Sequence, residues 1–243
     1  MSDSLLAIDT ATDVASVAVG GAGEPPRAVA VVSGARAHAA RIVDLVDEVL
    51  RLAGIRLDDI RGIVVGDGPG SFTGLRIGWA AARGLAQQRE LPLTAVPSLL
   101  AAAGAASRIV GSPVAACYDA LRGQVYGAVY GFAGAGVETI VAPALFTLDS
   151  LAAASRERPR AVVGDGAERY AAEAARWTGA APLGLAAVSP TAAALLDFAG
   201  RPGAARGIAD PAAEPVYGRP AEAQAKWEAR HGRPLDHPSG HGR

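Results

Sequence analysis

A glycine-rich stretch at residues 66–78 carries the residues whose types and spacing could do chemistry. It reads Gly-Asp-Gly-Pro-Gly-Ser-Phe-Thr-Gly-Leu-Arg-Ile-Gly, after the strand-like run Ile63-Val64-Val65 and before a helical pattern in which Ser71 and Thr73 are candidate N-caps. The first N–H groups of a helix have no partner within it, so such a turn suits a phosphate or a carboxylate. Our candidates for a nucleotide contact are Asp9, Thr10, Gly70, Ser71 and Arg76.

The chain lacks the residues that a catalyst would need beside this glycine-rich stretch. The first hairpin turn, residues 9–14, has no Gly, Lys or Arg to hold a phosphate, and Asp13 adds a repelling charge. No Gly-Lys-Ser/Thr follows the glycines, as it would in a P-loop, and no G-x-S-x-G or H-E-x-x-H occurs. Two His four residues apart would bring both imidazoles to one helix face, but His38 is followed four positions later by Ile42. We predict no catalytic residue, no metal site and no cofactor of its own.

Composition excludes some classes of protein. The chain has 243 residues and a net charge of −1, which argues against a protein that holds nucleic acid by its own field. Its one cysteine, Cys117, lies in an apolar run, where a buried and inert thiol is expected. No apolar stretch is long enough to span a bilayer, and the first residues lack the basic start of a signal peptide. We expect a cytoplasmic protein without a membrane contact.

The hydrophobic periodicity predicts an α/β fold with a mixed sheet. Three strands come first, then a helix over residues 35–53, the strand at 63–65, a helix from about 74 to 89 and a strand at 93–96. The first three strands are 4–8, 14–19 and 28–32. Hairpins at the start and crossovers later imply a mixed sheet covered by helices.

The chain also carries an internal repeat. Val162-Val163-Gly164-Asp165-Gly166 repeats the letters of Val64-Val65-Gly66-Asp67-Gly68, and each half begins with a strand that ends in an Asp, Asp9 or Asp119. The repeat predicts two related lobes, over residues 1–97 and 98–220. Residues 221–243 are expected to form a short helix and a disordered tail.

The helix after the glycine-rich turn is apolar over most of its circumference, which is unusual for a surface helix. Small residues would let another helix approach, and Trp79 is the kind of large side chain that dominates interfaces. We predict that this helix and the one before it bind a partner; the alternative is that the later helix is buried between its sheet and the second lobe. The predicted partner-binding residues are Ile42, Leu45, Val46, Val49, Leu75, Gly78, Trp79 and Ala82.

These motifs resemble the actin-like ATPase superfamily, which includes sugar kinases, Hsp70 and actin. The stretch from Asp67 to Gly78 looks specifically like the TsaB family, formerly YeaZ. The supporting pieces are Ile8-Asp9-Thr10 with Ser16, His38, Asp119 before Arg122-Gly123 and Val125-Tyr126, and Pro215-Val216-Tyr217. The resemblance implies two RNase H-like lobes, each a mixed sheet covered by helices.

For function, the resemblance implies a non-catalytic scaffold or dimerisation subunit in the synthesis of N6-threonylcarbamoyladenosine at position 37 of tRNAs that read ANN codons. Its implied partners are a TsaD-like transferase and a TsaE-like ATPase, with tRNA reached through the complex and a homodimer formed when the chain is alone. ATP or ADP would then bind at a subunit boundary. The alternative is a small-molecule kinase or ATPase of the same fold, and a protease is the weakest hypothesis.

Overall fold

The computed structural model describes residues 3–34, 37–188, 191–210, 212–218 and 230, and for residues 37–40 it describes the backbone alone. The strands are β1 (Ser4–Asp9), β2 (Val14–Gly20), β3 (Ala28–Ser33), β4 (Ile60–Gly66), β5 (Leu93–Val96), β6 (Val114–Asp119), β7 (Val125–Ala133), β8 (Gly136–Phe146), β9 (Ala161–Val163) and β10 (Arg206–Gly207). The helices are α1 (Ala37–Ala53), α2 (Phe72–Arg89), α3 (Ser98–Val110), α4 (Leu148–Ala154), α5 (Asp165–Arg169), α6 (Ala171–Thr178) and α7 (Thr191–Ala199).

The first sheet is mixed, as predicted. Its order is β10-β5-β4-β1-β2-β3, in which β1 is antiparallel to β2 and parallel to β4. Ile8 of β1 lies opposite Val17 on one side and Val65 on the other. β1 is buried on both faces because helices cover both sides of the sheet.

The second sheet repeats this arrangement in the order β8-β7-β6-β9. β6 pairs antiparallel with β7 and parallel with β9, as β1 pairs with β2 and β4. The predicted repeat is therefore confirmed in the topology, and Asp9 and Asp119 end equivalent strands. β8 was not predicted, because most of its residues are exposed or half-buried and its sequence has no clear alternation.

Helices α3 and α7 lie between the two sheets. Residues of both helices and of both sheets form one hydrophobic cluster, which includes Ala7 of β1 and Ala116 of β6. Small side chains make this layer thin: Gly104 of α3 lies so close to the ring of Phe198 in α7 that a Cβ atom at Gly104 would overlap it. The first nine residues of α3 are all buried, which explains their alanine-rich composition.

Two further clusters complete the layers. One lies between the outer face of the first sheet and helices α1 and α2, around Leu45 and Trp79. The other lies between the outer face of the second sheet and helices α4 to α6, around Leu151, and includes the thiol of Cys117. Burial raises the pKa of that thiol, which keeps it protonated and unreactive, as predicted.

The chain returns to the first sheet after leaving the second. β10 pairs antiparallel with β5, with Arg206 opposite Ala95. The backbone N–H of Val216 then donates to the carbonyl oxygen of Asp67 over 2.8 Å. The two-lobe division at residue 97 stays a prediction, whereas the helix and tail predicted for residues 221–243 lie outside the described residues except at 230. In the described part of the chain, no helix is long and apolar enough to cross a membrane.

Candidate functional site

The glycine-rich turn packs against the β1–β2 hairpin. The N–H of Ser71 donates to the carbonyl oxygen of Ala11 over 2.7 Å, and the Thr10 hydroxyl donates to that of Gly74 over 2.7 Å. The Ser71 hydroxyl accepts from the N–H of Gly74 at 3.2 Å, which confirms the predicted N-cap of α2. The structure thus brings together four of the five nucleotide candidates, namely Asp9, Thr10, Gly70 and Ser71.

Two glycines of the turn stand where the hairpin leaves no room for a side chain. A Cβ atom at Gly70 would overlap the carbonyl oxygen of Ala11, and one at Gly74 would overlap that of Thr10. These glycines therefore allow two backbone segments of the chain to pack closely. The side of the turn that faces the hairpin is occupied by the protein itself, and the nucleotide contact stays a prediction.

The carboxylate of Asp9 is enclosed at the end of β1. Its Oδ1 accepts from the Ser98 hydroxyl at 3.0 Å and from the N–H of Ala11 at 3.2 Å, and the residue is 2% exposed. Burial raises the pKa of this carboxyl, and a hydrogen bond from Thr191 opposes the rise. An aspartate held in this way does not offer its carboxylate to solvent.

Asp67 of the turn is held by an arginine from the far end of the chain. Nε and Nη2 of Arg206 donate to the two carboxylate oxygens of Asp67 over 2.8 and 2.7 Å. The guanidinium carbon of Arg206 lies 5.5 Å from the ring centroid of Trp79, whose indole N–H donates to the carbonyl oxygen of Gly66 over 3.0 Å. This fork fixes the turn between α2 and β10.

Replacing Arg206 with methionine should lower the free energy of unfolding by about 2 kcal/mol, below the usual loss for a fully buried pair because Arg206 itself is partly exposed. The side chain of Asp67 is 7% exposed and would lose both donors of the fork. Urea unfolding monitored by circular dichroism measures the change. Arg156→Met, which breaks an exposed pair with Glu138, should change stability by less than about 0.5 kcal/mol, and equal losses in both variants would contradict this role.

Arg76, the fifth nucleotide candidate, does not contact Asp9 or Asp67. Its Nε donates to the Tyr217 hydroxyl over 3.2 Å, and its guanidinium lies 4.3 Å from the ring centroid of Phe72. Asp67 already has Arg206 as its partner. Arg76 instead joins the start of α2 to the segment that follows β10.

In the second half of the chain, the turn after β9 places Asp165 beside Asp119, which ends β6. Oδ1 of Asp165 accepts from the N–H groups of Asp119 and Gly166 over 3.1 and 2.9 Å. Burial raises the pKa of Asp165 to about 6, and the negative charges of Asp119 and Asp13 add to the rise. Arg169 donates to Asp119 over 3.0 Å. Nothing in the sequence marks Asp165 as a proton-binding group, apart from the repeated Gly-Asp-Gly.

All eight predicted partner-binding residues are buried within this chain, and their contact with a partner stays a prediction. Each is buried in the packing of α1 and α2 against the first sheet and the turn: Ile42, Leu45, Val46, Val49, Leu75, Gly78, Trp79 and Ala82. The helical spacing identified the face that meets the sheet, and Trp79 anchors α2 to that sheet. A partner at these helices would meet the residues on their outer faces.

Those outer faces enclose an apolar groove between α1 and α2, with a volume of about 290 Å³. Val43 on its α1 side is 67% exposed, and Ala80 and Gly84 on its α2 side are exposed. A Cβ atom at Gly84 would meet no atom within 4 Å. We call this feature the α1/α2 groove. It is lined by Ile42, Val43, Val46, Asp47, Leu57, Ala80, Ala81, Gly84 and Leu85.

Metal ligation has no candidate cluster within the described ranges: no three His, Cys, Asp or Glu side chains there are placed to hold an ion. The side chain of His38 lies outside the described residues, although the backbone at that position is helical.

Comparisons with known proteins agree with this architecture. A family model described as "TsaD: tRNA N6-adenosine threonylcarbamoyltransferase" matches residues 28–178. The tRNA threonylcarbamoyladenosine biosynthesis protein TsaB of Escherichia coli K12 is 42% identical over 127 residues, which cover 52% of this chain and 54% of that protein. The chain thus spans about half the length of this curated relative.

Solved structures extend the likeness over at least nine-tenths of the chain. A Pseudomonas aeruginosa protein described as similar to peptidase YeaZ is 31% identical, with a TM-score of 0.71 over 90% of this chain and 100% of that one. The structure described as YeaZ from the same organism is 27% identical, with a TM-score of 0.68 over 97% and 100%. The fold is therefore the RNase H-like fold of the actin-like proteins, and the chain belongs to the TsaB (YeaZ) family.

Proposed function

We propose that this chain is a non-catalytic subunit of the complex that makes N6-threonylcarbamoyladenosine at position 37 of tRNAs reading ANN codons. In this role it pairs with and supports a TsaD-like transferase. The name of its curated relative, a tRNA threonylcarbamoyladenosine biosynthesis protein, supports the pathway. The α1/α2 groove is the observation that carries the pairing, because it is an apolar, concave surface on two adjacent helices.

The chemistry of the groove suits a partner helix. Val43 offers an exposed apolar side chain, while Ala80 and Gly84 leave the surface of α2 low. A helix of the partner can therefore approach α2 closely and cover Val43 at the same time. An interface of ordinary size buries about 1,600 Å² in total, which extends well beyond the groove onto the neighbouring turns of both helices.

The groups that a catalyst would use are engaged in contacts within the fold, which fits a supporting role. The Asp9 carboxylate is enclosed, and the hairpin backbone fills the side of the turn that would receive a phosphate. Asp67 is committed to Arg206, and Asp165 to two backbone N–H groups. These contacts stabilise the fold, and the carboxylates of Asp9 and Asp67 are almost removed from solvent.

The other predicted partners follow from the same pairing. Without the transferase, two copies of this chain would cover their grooves by pairing with each other. A TsaE-like ATPase and the tRNA would join through the assembled complex, because a chain with a net charge of −1 has no strong field to hold RNA. ATP or ADP would bind at a subunit boundary, where the partner supplies the donors that this chain uses internally.

Ala80→Arg should weaken the complex with a TsaD-like transferase at least tenfold while the isolated chain keeps its far-UV circular dichroism spectrum. The arginine would stand in the groove and hold the partner helix away, and an exposed helical position tolerates it. Analytical ultracentrifugation of the mixed proteins measures the affinity. Ala153→Arg makes the same change at an exposed position of α4, far from the groove, and should pair normally; unchanged pairing of Ala80→Arg would reject the groove as the interface.

The pathway itself is tested in cells. Depletion of the chain should remove threonylcarbamoyladenosine from the tRNA nucleosides measured by mass spectrometry, and re-expression of the original chain should restore it. Cells that carry Ala80→Arg should recover less of the nucleoside than cells that carry Ala153→Arg. An unchanged nucleoside level after depletion would overturn the proposed function.

A further inference from the structure

A cavity of about 300 Å³ lies beside α2, on the side away from the α1/α2 groove. Its wall is formed by the last turns of α2, by β5 and by the residues after β10. Leu91, Leu93 and Ile208 give it an apolar floor, and Arg83, Glu90 and Asp210 place charges around that floor. Small-molecule sites in proteins begin at about this volume.

The guanidinium of Arg83 is the unusual group in this cavity. Its Nε and Nη2 atoms are buried and have no hydrogen-bond acceptor among the described residues. It is stacked 5.2 Å from the ring centroid of Trp79, a contact that leaves its donors unused. Buried donors without acceptors are rare in folded proteins, because each loses its hydration without a replacement.

Another arginine of the chain shows which group the Nε and Nη2 atoms bind. Nε and Nη2 of Arg206 hold the two oxygens of the Asp67 carboxylate as a fork. Arg83 presents the same pair of nitrogen atoms without such a partner. The guanidinium stacks on Trp79 with these two nitrogens buried, and a rotation of the side chain would turn them toward the cavity, where they can grip a carboxylate.

The remaining charges decide which carboxylate fits. Glu90 is the C-cap of α2, so it lies at the end of the helix where the backbone carbonyls make the potential negative. Asp210 lines the same cavity. Two carboxylates and a helix C-terminus disfavour a phosphate or another multiply charged anion, and they favour a ligand that carries an ammonium group as well.

We infer that this cavity binds an apolar α-amino acid. The ligand carboxylate takes the fork of Arg83, its ammonium group lies toward Glu90 and Asp210, and its side chain covers the floor of Leu91, Leu93 and Ile208. The site is independent of the proposed pairing, because the groove and the cavity lie on opposite sides of α2.

L-Leucine is the probe for this inference, tested on the full chain by titration calorimetry and by heteronuclear NMR. We expect binding with a dissociation constant of about 1 mM and shifts confined to the backbone amides of residues 83–91, 93 and 206–210. 4-Methylpentanoate lacks the ammonium group and 3-methylbutylamine lacks the carboxylate, so each should bind at least tenfold more weakly. Absence of leucine binding, or shifts elsewhere in the chain, would overturn the inference.

Variants separate the roles of the two charges. Arg83→Met should weaken leucine binding at least tenfold, and Asp210→Asn should weaken it severalfold while leaving 4-methylpentanoate unaffected. Arg51→Met, at an exposed position of α1, is the matched control and should bind leucine normally. Equal affinity in Arg83→Met and the original chain would refute the site, and the NMR map of the unmodified chain decides the matter if that variant does not fold.

Discussion

Gly74→Ala should lower the free energy of unfolding by about 3 kcal/mol, although alanine is the better helix former. Gly74 lies in the first turn of α2, and a methyl group there would overlap the carbonyl oxygen of Thr10. That oxygen belongs to the hairpin backbone, so it can move only with the Thr10 hydroxyl that donates to Gly74 and with the Ala11 carbonyl that accepts from Ser71. The strain must therefore be taken up by the whole turn.

Gly84→Ala is the matched control on the same helix. Its Cβ would meet no atom within 4 Å, so only the helix propensity changes and the protein should gain about 0.5–1 kcal/mol. Urea unfolding of both variants at one pH measures the pair. If both substitutions stabilise the protein, the turn does not pack against the hairpin as described; if both destabilise it equally, α2 is intolerant of alanine for another reason and the close approach at Gly74 is not the cause.

Asp165→Asn should stabilise the protein by up to about 3 kcal/mol at pH 8 and have little effect near pH 4. Burial raises the pKa of Asp165 from an ordinary 3.8 to about 6. The unfolded chain therefore loses this proton near pH 4, whereas the native protein keeps it until about pH 6. Between those values the native state binds the extra proton, so stability falls as the pH rises and stays lower above pH 6.

Asparagine keeps the useful part of this side chain. Its carbonyl oxygen can accept from the N–H groups of Asp119 and Gly166 as the carboxylate does, and it adds no negative charge beside Asp119. Urea unfolding of the variant and the original chain across pH 4–8 measures the difference. Asp149→Asn, at a carboxylate that is 76% exposed, should change stability by less than about 0.5 kcal/mol at every pH. A gain for Asp165→Asn that does not grow between pH 4 and pH 8 would contradict the raised pKa.

Local patterns were sufficient for the first half of the fold. The hairpin of β1 and β2, the amphipathic α1 and the strand–turn–helix at residues 60–89 all follow from periodicity and from turn residues. The elements that were missed have weak local signals for physical reasons. β8 is a largely exposed edge strand, α7 is buried all round and so has no polar face, and β10 is two residues long.

The candidate site shows the same limit more sharply. Spacing on a helix identifies the apolar side but not what covers it, and in α1 and α2 that side is covered by the chain's own sheet. The residue that indicates an exposed apolar surface is instead Val43, which lies outside the helical spacing of the buried residues of α1. The pairing of Asp67 with Arg206 spans 139 positions, and no local pattern relates residues so far apart.

The layer formed by α3 and α7 makes the two halves of the molecule one cooperative unit. Both helices bury residues against the first sheet and against the second, so neither sheet can separate from the other without exposing an entire apolar layer to water. A fragment that ends at residue 97 would lack both helices and would leave the inner face of its sheet bare. The duplication is thus visible in the topology, and the apolar layer that both sheets share opposes their separation in the folded protein.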